Sequence, residues 1–184
     1  VIIFMVVSKK KINKKSNTFT YHYSQIFIHW LIALLVIYQF SFGSNIEFLE
    51  LKRCISTKTN DLTTCKYINN HYFVGVSIFL LMIVRLSLRF LFGAPPLPKS
   101  IPLIIKIIAR LSHFLIYFIL FLMPVLGIYM YYFNSEIAQF LHISFSKLLL
   151  FLILLHICAV AFHEGILGSR LFYRMVSISK IKDN

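Results

Sequence analysis

The sequence predicts an all-α membrane protein, a single four-helix transmembrane bundle with both termini on the cytoplasmic side. The 184-residue chain is 59% hydrophobic and 14% charged, and its mean hydropathy of +0.79 lies outside the range of an ordinary soluble domain. Four apolar runs stand out: Gln25 to Phe42, Tyr72 to Phe92, Leu111 to Phe133, and about Ile143 to Phe162. Each is close to the roughly 20 helical residues that cross a hydrocarbon core. Lipid leaves the backbone to satisfy its own polar groups, so continuous runs of this length read as helices. Four strands could not close a barrel, and the runs do not alternate with period two.

Taken in order, the chain opens with a basic segment, residues 1–22, whose Lys9, Lys10, Lys11, Lys14 and Lys15 follow the short run VIIFMVV. That order reverses a secretory signal peptide, and Met5 is a candidate start. The transmembrane domain is expected over residues 23–175, with a cytoplasmic tail at 176–184. The second connection carries Arg89, Lys99, Lys106 and Arg110 with no acid, and the carboxyl end adds Arg170, Arg174, Lys180 and Lys182. The first connection offsets Lys52, Arg53, Lys58 and Lys66 with Glu47, Glu50 and Asp61, and the third carries only Glu136 and Lys147. Cytoplasmic loops retain Lys and Arg, so the termini and the second connection face the cytoplasm. The formal charge of +13 is spread along the flanks of apolar spans, which points to anionic lipid headgroups and away from nucleic acid.

The remaining punctuation is local. GAPPLPKSIP in the second connection breaks any helix and separates two helical hairpins. Pro124, followed by Gly127, is expected to kink the third span. Cys54 and Cys65 fall together in the first connection, on the oxidising side by the charge count, where a disulfide is expected and two free thiols are the alternative. Cys158, alone in the fourth span, reads as an apolar filler. No CxxCH occurs, so no covalent c-type haem is expected.

The histidines carry the chemistry. HISFSKLLLFLILLH, residues 142–156, begins and ends with one, and fourteen helical residues bring His156 back to within about 40° of His142 and about 21 Å further along the axis. The topology places His29 and His156 toward the cytoplasm and His71 and His142 toward the outside, giving two level pairs. An intramembrane imidazole is costly and faces a partner or a function. An interhelical hydrogen bond would explain one such residue; four matched in depth favour a ligand. Two imidazoles leave four equatorial positions that no nearby Cys, Asp or Glu supplies, and a porphyrin provides them.

Arg85 follows His71 by fourteen residues and falls at the inner level, where it could pair a haem propionate or snorkel to headgroups with Arg89. His113 and His163 also lie toward the inner end, suited to a propionate, a quinone or the water interface, while His22 precedes the first span and has no expected role. Tyr129, Tyr131 and Tyr132 read as an interfacial aromatic belt.

YSQIFIHWLIALLVI, HYFVGVSIFLLMIVRLSLRF, PPLPKSIP with IARLSHFLIYFILFLMPVLGIYM, and HICAVAFHE after the fourteen-residue spacing resemble the four helices and proline linker of the bacterial cytochrome b561 family, over about Tyr23 to Met175. The resemblance implies two haem b groups with axial ligands His29, His71, His142 and His156, a place in the bacterial inner membrane, and single-electron exchange with quinone, ubiquinone above all. One activity in that family is oxidation of external superoxide to oxygen, with ubiquinone as acceptor. Many relatives have Glu after the first histidine of helix four, where this chain has Ile143, and the first external loop here is longer and holds the cysteine pair.

The expected function is thus di-haem electron transfer between membrane quinone and an external one-electron partner, with superoxide a candidate that Lys52, Arg53, Lys58 and Lys66 could steer weakly. Two alternatives stay open: the membrane-anchor cytochrome b subunit of a larger dehydrogenase or hydrogenase, or a haem-free bundle whose histidines handle protons or a metal.

Overall fold

The computed structural model describes residues 20–43, 63–96, 101–166 and 172–176, and these contain four long helices and no strand. They are α1 (Tyr23–Gly43), α2 (Thr63–Phe92), α3 (Leu103–Phe133) and α4 (Glu136–Gly165), followed by a 3-10 turn at Tyr173–Met175. All four are long and apolar enough to span a membrane. Cys54 and the first-connection charges Lys52, Arg53 and Lys58 lie outside the described residues.

The helices outrun the apolar spans, chiefly at their N-terminal ends. Hydropathy marks what sits in lipid, whereas backbone signals mark where a helix begins. Pro102 precedes the first turn of α3, where its missing N–H costs nothing. Ser135 caps α4 by accepting from the Ala138 N–H at 3.3 Å, and Glu136 in the first turn complements the helix dipole. The α3–α4 connection shrinks to two residues, because Asn134 takes a left-handed conformation at φ 50° and closes α3 with its N–H on the Met130 carbonyl at 3.0 Å. Gly93, at φ 71°, ends α2 in the same way, donating to the Arg89 carbonyl at 3.0 Å. Pro124 is accommodated within α3.

Helices adjacent in sequence pack against each other, while α1 and α4 barely touch. The core is a narrow seam of Ile32, Val36, Ile78, Met82, Ile119, Leu120, Leu149 and Leu152. Lipid tails are as apolar as leucine, so dispersion and close fit hold this seam rather than expulsion of water. Ser41, Ser77, Ser87 and Ser112 return their hydroxyls to the carbonyl four residues back, at 2.9 Å each, which satisfies them within the helix. Cys158 faces outward from α4, a lipid-facing thiol.

Candidate functional site

Two groups of polar side chains lie at opposite ends of the bundle. One is at the end where α1 starts and α4 finishes, here the terminal end; the other is at the loop end, where α2 starts.

At the loop end the rings of His71 on α2 and His142 on α4 come to 6.1 Å between centroids, inclined at 65°. His142 Nδ1 lies 3.1 Å from the Met123 carbonyl oxygen. A carbonyl only accepts, so Nδ1 carries the proton and Nε2 keeps its lone pair for a ligand. Gly127, one turn beyond Met123, lies against this ring: a Cβ there would just touch His142 Cε1 at 3.4 Å, so nothing larger than alanine fits without moving it. His71 Nδ1 is buried without a hydrogen-bond partner among the described residues, and α1 braces its backbone through Gln39 Nε2, which donates to the His71 carbonyl at 2.8 Å. That carboxamide fits because residue 75 is glycine, whose Cβ would lie 3.3 Å from Gln39 Nε2.

The donor set suits a haem iron. His71 and His142, with His142 Nε2 left as an acceptor, would be the residues to hold the iron at this level, and their ring separation of 6.1 Å leaves room for an ion between two imidazoles bonded at about 2 Å each. Among the described residues no three His, Cys, Asp or Glu side chains converge as a metal site.

At the terminal end, fourteen residues along α4, the His156 ring meets the edge of His113 on α3 at 5.0 Å and 85°. His113 Nδ1 is 2.7 Å from the Ala109 carbonyl oxygen, which fixes its tautomer as for His142. His29 on α1 completes the level, with Arg85, His156 and His113 as its electrostatic neighbours. Arg85 turns inward: Nε donates to Tyr117 Oη at 3.1 Å and Nη1 to the Gln25 carbonyl at 3.2 Å. It ties α2 to α3 and α1 instead of reaching for headgroups.

Sequence reasoning overlooked the supports. Gln25, 5% exposed, donates to the Leu88 and Gly93 carbonyls at 2.9 and 3.0 Å, and Trp30 Nε1 donates to the Met175 carbonyl at 2.9 Å. The available signal was a carboxamide inside an apolar span, which needs a partner just as an imidazole does. The expected aromatic belt is partly internal, since Tyr131 packs on Tyr72 of α2 at 5.1 Å. His163 is buried, and His22 stacks on Phe92 at 4.0 Å. Cys65 is fully buried and disulfide-bonded.

Membrane-length helices that set imidazoles at two levels are the architecture of a membrane cytochrome. The sequence pattern of prokaryotic cytochrome b561 matches residues 20–177, and the chain belongs to that family. It is 29% identical over 152 residues to cytochrome b562 of Cereibacter sphaeroides, covering 83% of this chain and 92% of the relative. It is 28% identical over 174 residues to the probable superoxide oxidase CybB of Yersinia pestis, covering 83% and 93%. The protein is therefore a multi-pass, haem b-binding membrane protein of electron transport.

Proposed function

We propose that the protein carries two haem b groups, held by His71 with His142 and by His29 with His156, and exchanges single electrons between membrane quinone and a one-electron partner on the other side. The observation that carries this reading is the His71–His142 approach of 6.1 Å at one end of α4, with His156 about 21 Å along the same helix. Bound haem would supply reversible one-electron chemistry at each level. The chain's own residues do the rest: Met123 and Gly127 orient His142, Gln39 braces His71, and His113 abuts His156. Arg85, turned inward on Tyr117 and Gln25, would be the residue to pair an inner propionate.

In this reading the terminal end is cytoplasmic, by the basic residues that flank it, in a bacterial inner membrane. Superoxide is the external partner to test first, because one relative is a probable superoxide oxidase. Two superoxide anions, each giving up one electron to become oxygen, would reduce one ubiquinone to ubiquinol with two protons. The deciding experiment is a reduced-minus-oxidised spectrum with haem quantified per chain, for wild type, His142→Ala and His156→Ala. Two haems in the wild type and one in each variant are expected; a wild type without a Soret band sinks the reading. Superoxide-dependent ubiquinone reduction in vesicles then tests the partner.

A further inference from the structure

Among the helices, α1 packs closely against α2 alone. Its polar ties follow the same pattern. Gln25 donates to the Leu88 and Gly93 carbonyls, Arg85 donates to the Gln25 carbonyl, and Gln39 donates to the His71 carbonyl. Each of these partners belongs to α2 or ends it. A helix apolar on all sides and held along one flank has no stripe of its own to fix its rotation or tilt.

One tie crosses to the end of the chain. Trp30 Nε1 donates to the Met175 carbonyl at 2.9 Å, and Phe172 stands edge-on to the indole, 6.4 Å between ring centroids at 87°. Trp30 lies about 10 Å along the axis from the start of α1 at Tyr23. The C-terminal turn therefore lies beside α1, not beyond its end. The contact suits both partners. An indole N–H only donates and needs an acceptor when drawn out of water. The Met175 carbonyl ends a 3-10 turn whose own bonds run from the Met175 N–H to Phe172 and from the Val176 N–H to Tyr173, which leaves that carbonyl free to accept.

The turn is anchored on two further sides. The Glu164 carboxylate, in the last turn of α4, accepts from the Phe172 N–H at 3.1 Å, and Arg174 Nη1 donates to the Pro96 carbonyl in the α2–α3 connection at 2.9 Å. Both bonds are charge-assisted, the stronger kind. Residues 172–176 thus meet α1, α4 and the connection between the two hairpins. His29 precedes Trp30, and the two rings stand 5.6 Å apart at 62°. Whatever fixes the indole also fixes this stretch of α1.

We infer that the C-terminal turn is a strap joining α1 to α4 at the terminal end, with Trp30 as its anchor and as a positioning residue for His29. The strap does no chemistry; it sets the rotation of α1, and so the angle at which the His29 ring enters its level. Only the role of His29 as a ligand rests on the proposed function.

Trp30 is the chain's only tryptophan, so its indole N–H gives a single resonance in protein labelled with 15N-tryptophan. The test uses the full-length protein as wild type, Arg174→Gln, Arg174→Lys, Glu164→Gln and the double Gln variant, with Trp30→Phe as the variant that keeps the ring and removes the bond. Helix content by circular dichroism checks folding. Hydrogen exchange of the indole N–H should run about tenfold faster in each Gln variant, the worth of one charge-assisted bond, and stay near wild type in Arg174→Lys. In the double Gln variant and in Trp30→Phe, one low-spin haem should shift its electron paramagnetic resonance g-values while haem per chain is kept, because His29 turns without letting go. Folded Gln variants with unchanged indole exchange overturn the strap. Faster exchange with unmoved g-values overturns the positioning of His29. A protein without haem sinks the di-haem reading, while indole exchange still decides the strap.

Discussion

Replacing Gly127 with leucine tests whether the fit of α3 against His142 governs the loop-end site. An added Cβ would sit 3.4 Å from Cε1 and 3.7 Å from Nδ1 of His142, so alanine just reaches van der Waals contact and the ring stays in place. The further carbons of leucine enter the space of the ring, which must swing away and give up its 3.1 Å bond to the Met123 carbonyl. Overpacking costs about 1–3 kcal/mol and the lost hydrogen bond about 0.5–1.5, so the site should weaken by roughly 10- to 2,000-fold in haem affinity. Leucine is the better helix former by up to about 1 kcal/mol, so a loss of haem could not be charged to a weaker α3. Haem per chain and its rate of loss to apomyoglobin, measured for wild type, Gly127→Ala and Gly127→Leu, give the result. Two haems are expected for alanine and one for leucine. A leucine variant with both haems and an unchanged loss rate would refute the role given to this contact.

Other consequences can be measured in the same preparations. Gln39→Leu removes the 2.8 Å bond to the His71 carbonyl and should cost about 1 kcal/mol, seen as a lower melting temperature with earlier loss of the loop-end haem. His113→Ala removes the edge contact on His156; the electron paramagnetic resonance g-values of one low-spin haem should shift while haem content is kept, and unchanged g-values would deny His113 a part in setting that ring. With Cys65 in a disulfide and Cys158 facing outward, Cys54 is the expected partner. Cys54→Ser should therefore leave one thiol at Cys65, shielded in the folded protein because the residue is buried and labelled once the protein is unfolded without reductant; a Cys65 that resists labelling then would point to a different pairing.

Much was legible before any coordinates, and its limits follow from where each signal resides. The number of helices and the two histidine levels on α4 were readable, because hydropathy and the 1.5 Å rise per residue are local properties of the chain. The apolar runs lie within the four helices, but where each helix begins was not legible from hydropathy, since the caps at Pro102 and Ser135 lie outside the runs. Arg85 was balanced between an inward and an outward role, and the bonds to Tyr117 and Gln25 place it inward. The ring met by His156 proved to be that of His113, a residue 43 positions earlier on another helix.

The sequence by itself determined that the chain spans a membrane four times and that its imidazoles fall at two depths. Only the tertiary structure decided which helices adjoin, that Met123 and Gly127 seat His142, and that the C-terminal turn reaches back to Trp30 on α1. The reason is physical: a helix apolar on all sides has no stripe to show which face turns inward. Its rotation is set by small residues and interhelical hydrogen bonds, here Gly75, Gly127, Gln25 and Gln39, and those contacts exist only once the helices have met.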